Sequence, residues 1–188
     1  IELTVDDGNG GTATDQVSVQ VVDTTAPTLT VPADVSVECS AQGGQAVAIG
    51  VATATDICDP APAVSSNAPA TFALGTTEVT WTATDGKGNT VSGIQKVTIV
   101  DTTPPVVVAP ADVTVECTGA TDSAATGVAT GSDTCGGVAI SESDASVAGC
   151  GNTEVITRTW TATDDCGNAT SGDQTITVVD TTAPSLSV

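Results

Sequence analysis

The chain has 188 residues with 23 acidic side chains, three basic side chains and no histidine, so its formal net charge is −20. This charge argues against nucleic acid or an anionic membrane surface as a partner, because both require clustered Lys and Arg. No stretch approaches the ~18 apolar residues of a membrane-spanning helix. Val, Ala and Ile dominate the apolar residues, with one Phe and two Trp, as is typical of small proteins built from half-buried strands.

An Asp-Thr-Thr phrase recurs along the chain, and its aspartates are Asp23, Asp101 and Asp180. The spacings of 78 and 79 residues are the period of a repeat. We therefore predict that residues 1–22 are the C-terminal strands of a preceding repeat. Residues 23–101 and 102–180 are predicted to be whole repeats, and residues 181–188 the first strand of a following repeat.

The two whole repeats share the same order of short alternating segments. "VPADVSVEC", which ends at Cys39, corresponds to "APADVTVEC", which ends at Cys117, and "EVTWTATDGKGN" corresponds to "TRTWTATDDCGN". Apolar and polar residues alternate in these runs, and Gly, Pro and Asp cluster between them. This pattern predicts an all-β fold of tandem immunoglobulin-like (fibronectin III-like) antiparallel β-sandwiches. Trp81 and Trp160 occupy equivalent positions, and their alternation with Thr predicts that each tryptophan fills a sandwich core.

The phrases "PADVSVEC", "LGTTEVTWTATDGKGN" and "VTIVDTTPP" resemble the hyalin-repeat (HYR) family of immunoglobulin-like extracellular modules. They are also similar to tandem immunoglobulin-like repeats of large bacterial surface adhesins. The resemblance covers residues 24–180 nearly end to end. It implies an extracellular or cell-surface location and a tandem arrangement of domains, whereas the function it implies is less specific because such modules are spacers in many proteins.

Catalysis is not expected from this composition. The chain has no histidine, one arginine and two lysines, so a nucleophile would have no conventional base. Paired carboxylates are present, but 2% aromatic residues poorly suit the cleft that a glycosidase builds around such a pair. We therefore predict that the protein is not an enzyme.

The even number of cysteines predicts disulfides and an oxidising compartment. With no histidine and no Cys-x-x-Cys pair, a zinc site is a weak alternative. The gain of cysteines in pairs favours the scheme Cys39–Cys58, Cys117–Cys135 and Cys150–Cys166. Strand geometry instead places Cys135 and Cys166 in loops at one end of the repeat and Cys117 and Cys150 near the other end, and so favours Cys135–Cys166 and Cys117–Cys150. Both schemes remain open from the sequence.

Each Asp-Thr-Thr linker is predicted to bring an aspartate to the loops at the N-terminal end of the next sandwich. The expected oxygen ligands are Asp23, Asp56, Asp85 and Asn89 at the first junction, Asp101, Asp133, Asp164 and Asn168 at the second, and Asp180 at a third, with Asp59 and Asp165 as further candidates. Clustered carboxylates repel one another unless a cation lies among them, and an all-oxygen set built on loops suits Ca²⁺ better than Mg²⁺. The alternative is that these aspartates cap turns and are solvated. The adhesin repeats that the chain resembles also rigidify their junctions with calcium.

These observations predict a structural extracellular repeat segment, part of a stalk, an adhesin, or a filament or matrix, with calcium-rigidified junctions. The expected partners are neighbouring identical repeats or chains and a host or matrix glycan or protein, with no nucleic acid and no membrane insertion in this segment. The alternative is a binding module whose loops recognise a glycan or protein ligand. A nearby domain with aromatic-rich loops would favour the alternative, and many further repeats would favour the stalk or filament.

Overall fold

The computed structural model describes residues 1–186, and this part of the chain folds almost entirely into β-strands. The strands, in chain order, are β1 (Glu2–Asp6), β2 (Thr12–Gln16), β3 (Thr28–Thr30), β4 (Val35–Glu38), β5 (Thr53–Thr55), β6 (Ala63–Ser66), β7 (Gly75–Thr84), β8 (Thr90–Val100), β9 (Val106–Val108), β10 (Val113–Glu116), β11 (Thr130–Ser132), β12 (Val138–Ala148), β13 (Glu154–Asp164) and β14 (Ala169–Val179). A single turn of helix, α1 (Ser123–Thr126), lies between β10 and β11. The all-β prediction is confirmed. In this described part, no helix has the length and apolar content needed to cross a membrane.

Spatial contacts divide the chain into two compact units. Unit 1 contains Ile1–Ala33, Gly50–Ala68 and Val79–Gln95. Unit 2 contains Asp34–Ile49, Pro69–Glu78 and the chain from Lys96 onward. This division differs from the repeat boundaries read from the sequence, so those boundaries stay a prediction.

The repeat at residues 102–180 lies within unit 2 and contains two sheets. Strands β9 and β11 form an antiparallel pair, and a four-stranded sheet has the order β10-β14-β13-β12. Strand β10 pairs in parallel with β14, whereas β12, β13 and β14 pair antiparallel. The preceding repeat has the same plan, with β3 paired to β5 and a sheet of order β4-β8-β7-β6 in which β4 is parallel to β8. The immunoglobulin-like sandwich prediction is confirmed, with one parallel pair in each larger sheet.

The aspartate of each "PAD" phrase aligns the parallel strands. Asp34 Oδ1 accepts a hydrogen bond from the backbone N–H of Lys96 at 2.8 Å, and Asp112 Oδ1 accepts one from the N–H of Thr175 at 2.7 Å. The proline two residues before each aspartate donates no backbone hydrogen bond, so it is tolerated at the entry to an edge strand. The motif therefore positions the first strand of the larger sheet beside the last strand of the repeat.

The tryptophans lie in the core, as the alternation predicts. Trp81 is 7% exposed and Trp160 is 2% exposed, and Val79 and Ala83, on the same face as Trp81, are fully buried. Trp81 Nε1 donates to Gln95 Oε1 at 3.0 Å. Because Gln95 Nε2 in turn donates to the carbonyl of Ala33 at 2.7 Å, the tryptophan is linked through a buried amide to the "PAD" phrase. The core therefore contains a hydrogen-bonded glutamine that the alternation of apolar residues does not predict.

Arg158 occupies the position in its repeat that Val79 occupies in the preceding one, two residues before the core tryptophan. It is 3% exposed and donates from Nε and Nη2 to the two carboxylate oxygens of Asp144, both at 2.7 Å. Further bonds, both 3.0 Å long, join Nη1 to Thr126 Oγ1 and Nη2 to the carbonyl of Thr121. The guanidinium carbon lies 5.9 Å from the centre of the Trp160 ring. One repeat thus has an ion pair where the other has a valine.

Candidate junction sites

Each linker aspartate closes a turn over the threonines that follow it. The backbone N–H two residues later donates to the aspartate Oδ1 at 3.1 Å for Asp23, 3.2 Å for Asp101 and 3.1 Å for Asp180. Asp side chains commonly bond to their own backbone in this way. The Asp-Thr-Thr phrase therefore forms the same turn in each of its three copies. The need for this turn accounts in part for the repetition of the phrase.

A glutamate at the end of the first strand of the larger sheet holds the threonines of the linker. Glu38 Oε1 accepts from the backbone N–H of Thr102 at 2.7 Å, and its carboxylate also accepts from the hydroxyls of Thr102 and Thr103 at 3.1 and 3.2 Å. Glu116 accepts in the same manner from the N–H and hydroxyl of Thr181. The bond from the Thr102 N–H is the main cause that lowers the pKa of Glu38 below its ordinary value. Sequence reasoning missed both glutamates, although the repeated "VEC" was a signal for them.

The first predicted junction brings two of its acidic residues together. Ligand atoms of Asp23, Asp56 and Cys58 all lie within 4.8 Å of one another. Asp56 Oδ1 accepts from the N–H of Cys58 at 2.8 Å, which fixes the thiol beside the linker. The nearby carboxylate of Asp23 is the largest cause that raises the pKa of the Cys58 thiol. Asp59 lies in a neighbouring contact, where its Oδ2 accepts from the N–H of Gly86 at 2.8 Å.

The second predicted junction repeats this arrangement. Carboxylate oxygens of Asp101 and Asp133 and the sulfur of Cys135 lie within 4.8 Å of one another, but that sulfur is in a disulfide, so only the two carboxylates are free to bind a metal. Asp101 is 9% exposed. Asp133 Oδ1 accepts from the N–H of Cys135 at 2.6 Å, as Asp56 does from Cys58. Asp165, a further candidate, accepts from the N–H of Gly137 at 2.8 Å. A third group contains Asp180 with Glu116 and Cys117.

The other predicted ligands lie in the turns between the last two strands and have other hydrogen-bond partners. Asp85 Oδ2 accepts from Asn89 Nδ2 at 2.7 Å, and Asp164 Oδ2 accepts from Asn168 Nδ2 at 2.8 Å. Each asparagine also donates to the linker, to the carbonyl of Asp23 at 3.3 Å and to that of Asp101 at 3.1 Å. The two asparagines therefore bind the linker backbone directly, and each turn aspartate holds its asparagine, a role that the sequence did not predict.

The two buried turn aspartates are stabilised as carboxylates. Desolvation is the largest single effect and raises the pKa of Asp85 and of Asp164, but the side-chain and backbone hydrogen bonds of Asn89 and Asn168, together with other turn amides, outweigh it. The pKa of each aspartate is consequently lowered below its ordinary value. Both turns therefore remain negatively charged at neutral pH, next to the acidic groups described above.

The donor set of these groups fits a hard cation. Asp23 with Asp56, and Asp101 with Asp133, each offer two carboxylates at close range. In residues 1–186 the ion pair present is that of Arg158 with Asp144, so no Lys or Arg side chain pairs with these aspartates. Carboxylate and carbonyl oxygens are the ligands that Ca²⁺ takes in proteins.

One disulfide is present in the described part of the chain, and it joins Cys39 to Cys135 with a Cα–Cα distance of 6.0 Å. Both predicted pairing schemes are wrong for these two cysteines. Cys117 N–H bonds to the carbonyl of Val179 at the end of β14, whereas Cys135 lies beside the loop that precedes β14. Strand β14 has eleven residues and therefore spans roughly 30 Å, too far for a Cys117–Cys135 bond.

The remaining cysteines, Cys58, Cys117, Cys150 and Cys166, form no disulfide in the structure. Cys150 precedes β13 and Cys166 follows it, so this eleven-residue strand separates the two thiols by roughly 30 Å. That distance is too long for a disulfide, so the predicted Cys150–Cys166 pair is wrong. The prediction that Cys135 and Cys166 lie at one end of the repeat is consistent with the structure. Desolvation is the largest cause that raises the pKa of Cys166, and Asp133, two residues before Cys135, is among the four aspartates that raise it further. Oxidation of all six cysteines in the isolated protein stays a prediction.

Comparison with known proteins gives one family match, to the HYR domain at residues 22–99. No curated protein matches the chain. Among solved structures, protocadherin gamma B7 extracellular cadherin domains 1–4 are 14% identical, with 96% of this chain and 58% of that chain covered and a TM-score of 0.40. Drosophila N-cadherin EC1-4 is 16% identical, with coverages of 94% and 56% and a TM-score of 0.33. The chain thus spans somewhat more than half the length of these two proteins, and at such TM-scores no argument rests on them.

The family match agrees with the motifs that carry the resemblance. It begins directly before the first Asp-Thr-Thr phrase and ends within β8, so it spans the first whole repeat. It agrees with the extracellular repeat module that the motifs suggest. The HYR resemblance is therefore confirmed for residues 22–99, which match the HYR domain model.

Proposed function

We propose that the protein is a structural extracellular repeat segment of a stalk, an adhesin, or a filament or matrix, in which the Asp-Thr-Thr linker is a fixed joint. The observation that carries this proposal is the double anchoring of one linker. Glu38, from the repeat before the linker, binds Thr102 and Thr103. Asn168, from the repeat after it, donates to the carbonyl of Asp101. A linker bound from both sides suits a spacer better than a flexible tether.

The second part of the proposal is that Ca²⁺ completes this joint. Asp101 and Asp133 would hold the ion at the middle junction, and Asp23 and Asp56 would hold it at the preceding one. The ion would supply positive charge that offsets the repulsion among carboxylates in a chain of net charge −20. Glu116 and Asp180 are the corresponding acidic pair for a third junction.

The location and partners follow the same proposal. We place the segment outside the cell, secreted or at the surface, with neighbouring identical repeats or chains as its first partners and a host or matrix glycan or protein as the second. The acidic surface and the absence of histidine from the sequence support a role without catalysis.

Calcium titration with Asp101→Asn tests the joint. The asparagine retains an oxygen that can accept from the N–H of Thr103, so the turn survives while the carboxylate is removed. In the wild-type protein, Ca²⁺ should raise the melting temperature and lengthen the particle in small-angle scattering. The variant should lose most of this response, whereas Glu142→Gln, a neutralisation on the exposed part of β12, should keep it.

Chelation separates the two parts of the proposal. If a chelator changes neither the melting temperature nor the scattering profile of the wild-type protein, calcium has no part in the joint. If Glu38→Ala, which removes the carboxylate that accepts hydrogen bonds from Thr102 and Thr103, also leaves the scattering profile unchanged, the linker is not a fixed joint, and the spacer function fails with it.

A further inference from the structure

The disulfide Cys39–Cys135 joins two successive repeats of the sequence. Cys39 directly follows β4, and its N–H donates to the carbonyl of Val100 at the end of β8 at 2.7 Å. Cys135 lies in the loop after β11, two residues beyond the loop aspartate Asp133. The bond therefore connects the exit end of one repeat to the entry loops of the next, on either side of an Asp-Thr-Thr linker.

The environment of Cys39 occurs a second time, at Cys117. The N–H of Cys117 donates to the carbonyl of Val179 at 2.8 Å. The residue before it, Glu116, binds Thr181 of the following linker, as Glu38 binds the linker next to Cys39. Cys117 thus has the same position relative to its outgoing linker.

The environment of Cys135 also occurs a second time, at Cys58. The N–H of Cys58 donates to Asp56 Oδ1 at 2.8 Å, as the N–H of Cys135 donates to Asp133 Oδ1. Its thiol lies in the group that contains the incoming linker aspartate Asp23. Cys58 is exposed and forms no disulfide, whereas its counterpart Cys135 is bonded.

We propose that the disulfide is a repeated covalent latch, formed at each junction between the cysteine after the first strand of the larger sheet and the loop cysteine of the following repeat. Cys117 and Cys58 are then the two halves of this latch that face the following and the preceding repeat. The partner of each is a cysteine in another repeat of the same kind. The latch goes beyond the proposed joint because it requires no cation.

The chemistry is an ordinary oxidation of two thiols. The thiolate of one cysteine attacks a small-molecule disulfide and releases one thiol, and the second cysteine then attacks the mixed disulfide and releases the other. Two protons and two electrons leave the protein, and the small-molecule disulfide is reduced to two thiols. Oxidised glutathione serves as this oxidant in the experiment below.

Trypsin digestion of the unreduced, thiol-blocked protein distinguishes the latch from pairing within repeats. The chain has only three basic residues, so trypsin cleaves after Lys87, Lys96 and Arg158. The latch predicts that the peptide ending at Lys87 is linked to the peptide 97–158 and is released on reduction. Pairing within repeats predicts no link between these two peptides, and that result would overturn the proposal.

A second digestion, on the amino side of aspartate, resolves the remaining cysteines. It cuts between Cys39 and Cys58 at Asp56 and between Cys117 and Cys135 at Asp122. In the native chain oxidised with glutathione disulfide, the Cys58 and Cys117 peptides should each be linked to a peptide from another repeat. Recovery of these two cysteines as blocked free thiols, or linked as Cys39–Cys58 or Cys117–Cys135, would refute the repeated latch.

Serine variants provide the matched control. Cys39→Ser should abolish the link between the two tryptic peptides and add one titratable thiol, that of Cys135, to the denatured and unreduced protein. Cys150→Ser should leave the link intact, because Cys150 lies in the turn before β13 and outside the latch. If the tryptic link persists in Cys39→Ser, another cysteine forms it and the assignment is wrong.

Discussion

Replacement of the buried arginine tests how much the Arg158–Asp144 ion pair stabilises its repeat, in a position where the other repeat has a valine. Arg158 is 3% exposed and makes four hydrogen bonds, two of them to Asp144. Arg158→Met keeps most of the side-chain volume but removes the charge and every donor. We expect a clear loss of stability, because the carboxylate of Asp144 loses its partner and the hydroxyl of Thr126 loses one of its two hydrogen bonds.

The magnitude follows from the burial of the two partners. Removal of one partner from a buried ion pair typically costs about 3–5 kcal/mol. The side chain of Asp144 is 41% exposed, so water restores part of its solvation, and we discount the loss to about 2–3 kcal/mol. The double variant Arg158→Met/Asp144→Ala removes the stranded carboxylate as well, and we expect it to recover at least ~1 kcal/mol.

Urea unfolding followed by tryptophan fluorescence measures these differences. Urea is preferred because guanidinium is a salt and would screen the ion pair. A Trp81→Phe background in every variant leaves Trp160, which lies beneath the guanidinium group, as the single reporter. Lys96→Met is the control, since it removes one positive charge from an exposed position and should change the free energy of unfolding by less than ~0.5 kcal/mol.

Two results would refute the reasoning. If Arg158→Met lies within ~0.5 kcal/mol of the parent protein, the ion pair does not stabilise the repeat. If the double variant is no more stable than the single variant, the loss does not come from the stranded carboxylate, and packing against Trp160 would account for it instead.

Two further predictions concern a glycine in the last strand of each repeat and the loss of folding stability at acidic pH. A Cβ at Gly93 would lie 2.5 Å from Val31 Cγ2, whereas a Cβ at the equivalent Gly172 meets no atom closer than 3.5 Å. Gly93→Ala should therefore cost about 1–3 kcal/mol more than Gly172→Ala in the same urea assay, and equal effects would contradict the close approach. The pKa of Asp85 and of Asp164 is lower in the folded than in the unfolded protein. Their contribution is present above the unfolded pKa of about 3.9 and is lost as the pH falls through the folded pKa. Stability should thus be nearly constant between about pH 5 and 7 and fall below about pH 4, and Asp164→Asn should flatten that fall; an unchanged slope in this variant would argue against the assignment.

The sequence predicts those features that depend on local pattern. Period-2 alternation correctly placed Val79, Trp81 and Ala83 on one buried face. The repeat period correctly identified equivalent positions, including the turn aspartates. The linker aspartates were recognised as special because they recur, and the structure shows that each one closes a turn.

Features that depend on contacts between distant segments could not be read in this way. Comparison of repeats shows which residues are equivalent, but not which residues touch, so the bond from Cys39 to Cys135 was missed. The role of Glu38 was missed because its partners lie 64 and 65 residues away. Arg158 lies on a strand between threonines, and only the folded chain brings Asp144 to it from the neighbouring strand.

The parallel pairing of the first and last strands of each larger sheet has a mechanical consequence. In the repeat at residues 102–180, the incoming chain passes through the short strand β9 into β10, and the outgoing chain leaves from β14. Strands β10 and β14 are parallel and in register from Val113 with Ile176 to Glu116 with Val179. Tension applied through the two ends of the repeat pulls these strands in opposite directions along their common axis. All inter-strand hydrogen bonds are then sheared together rather than opened one after another, so the pair resists pulling with its whole length.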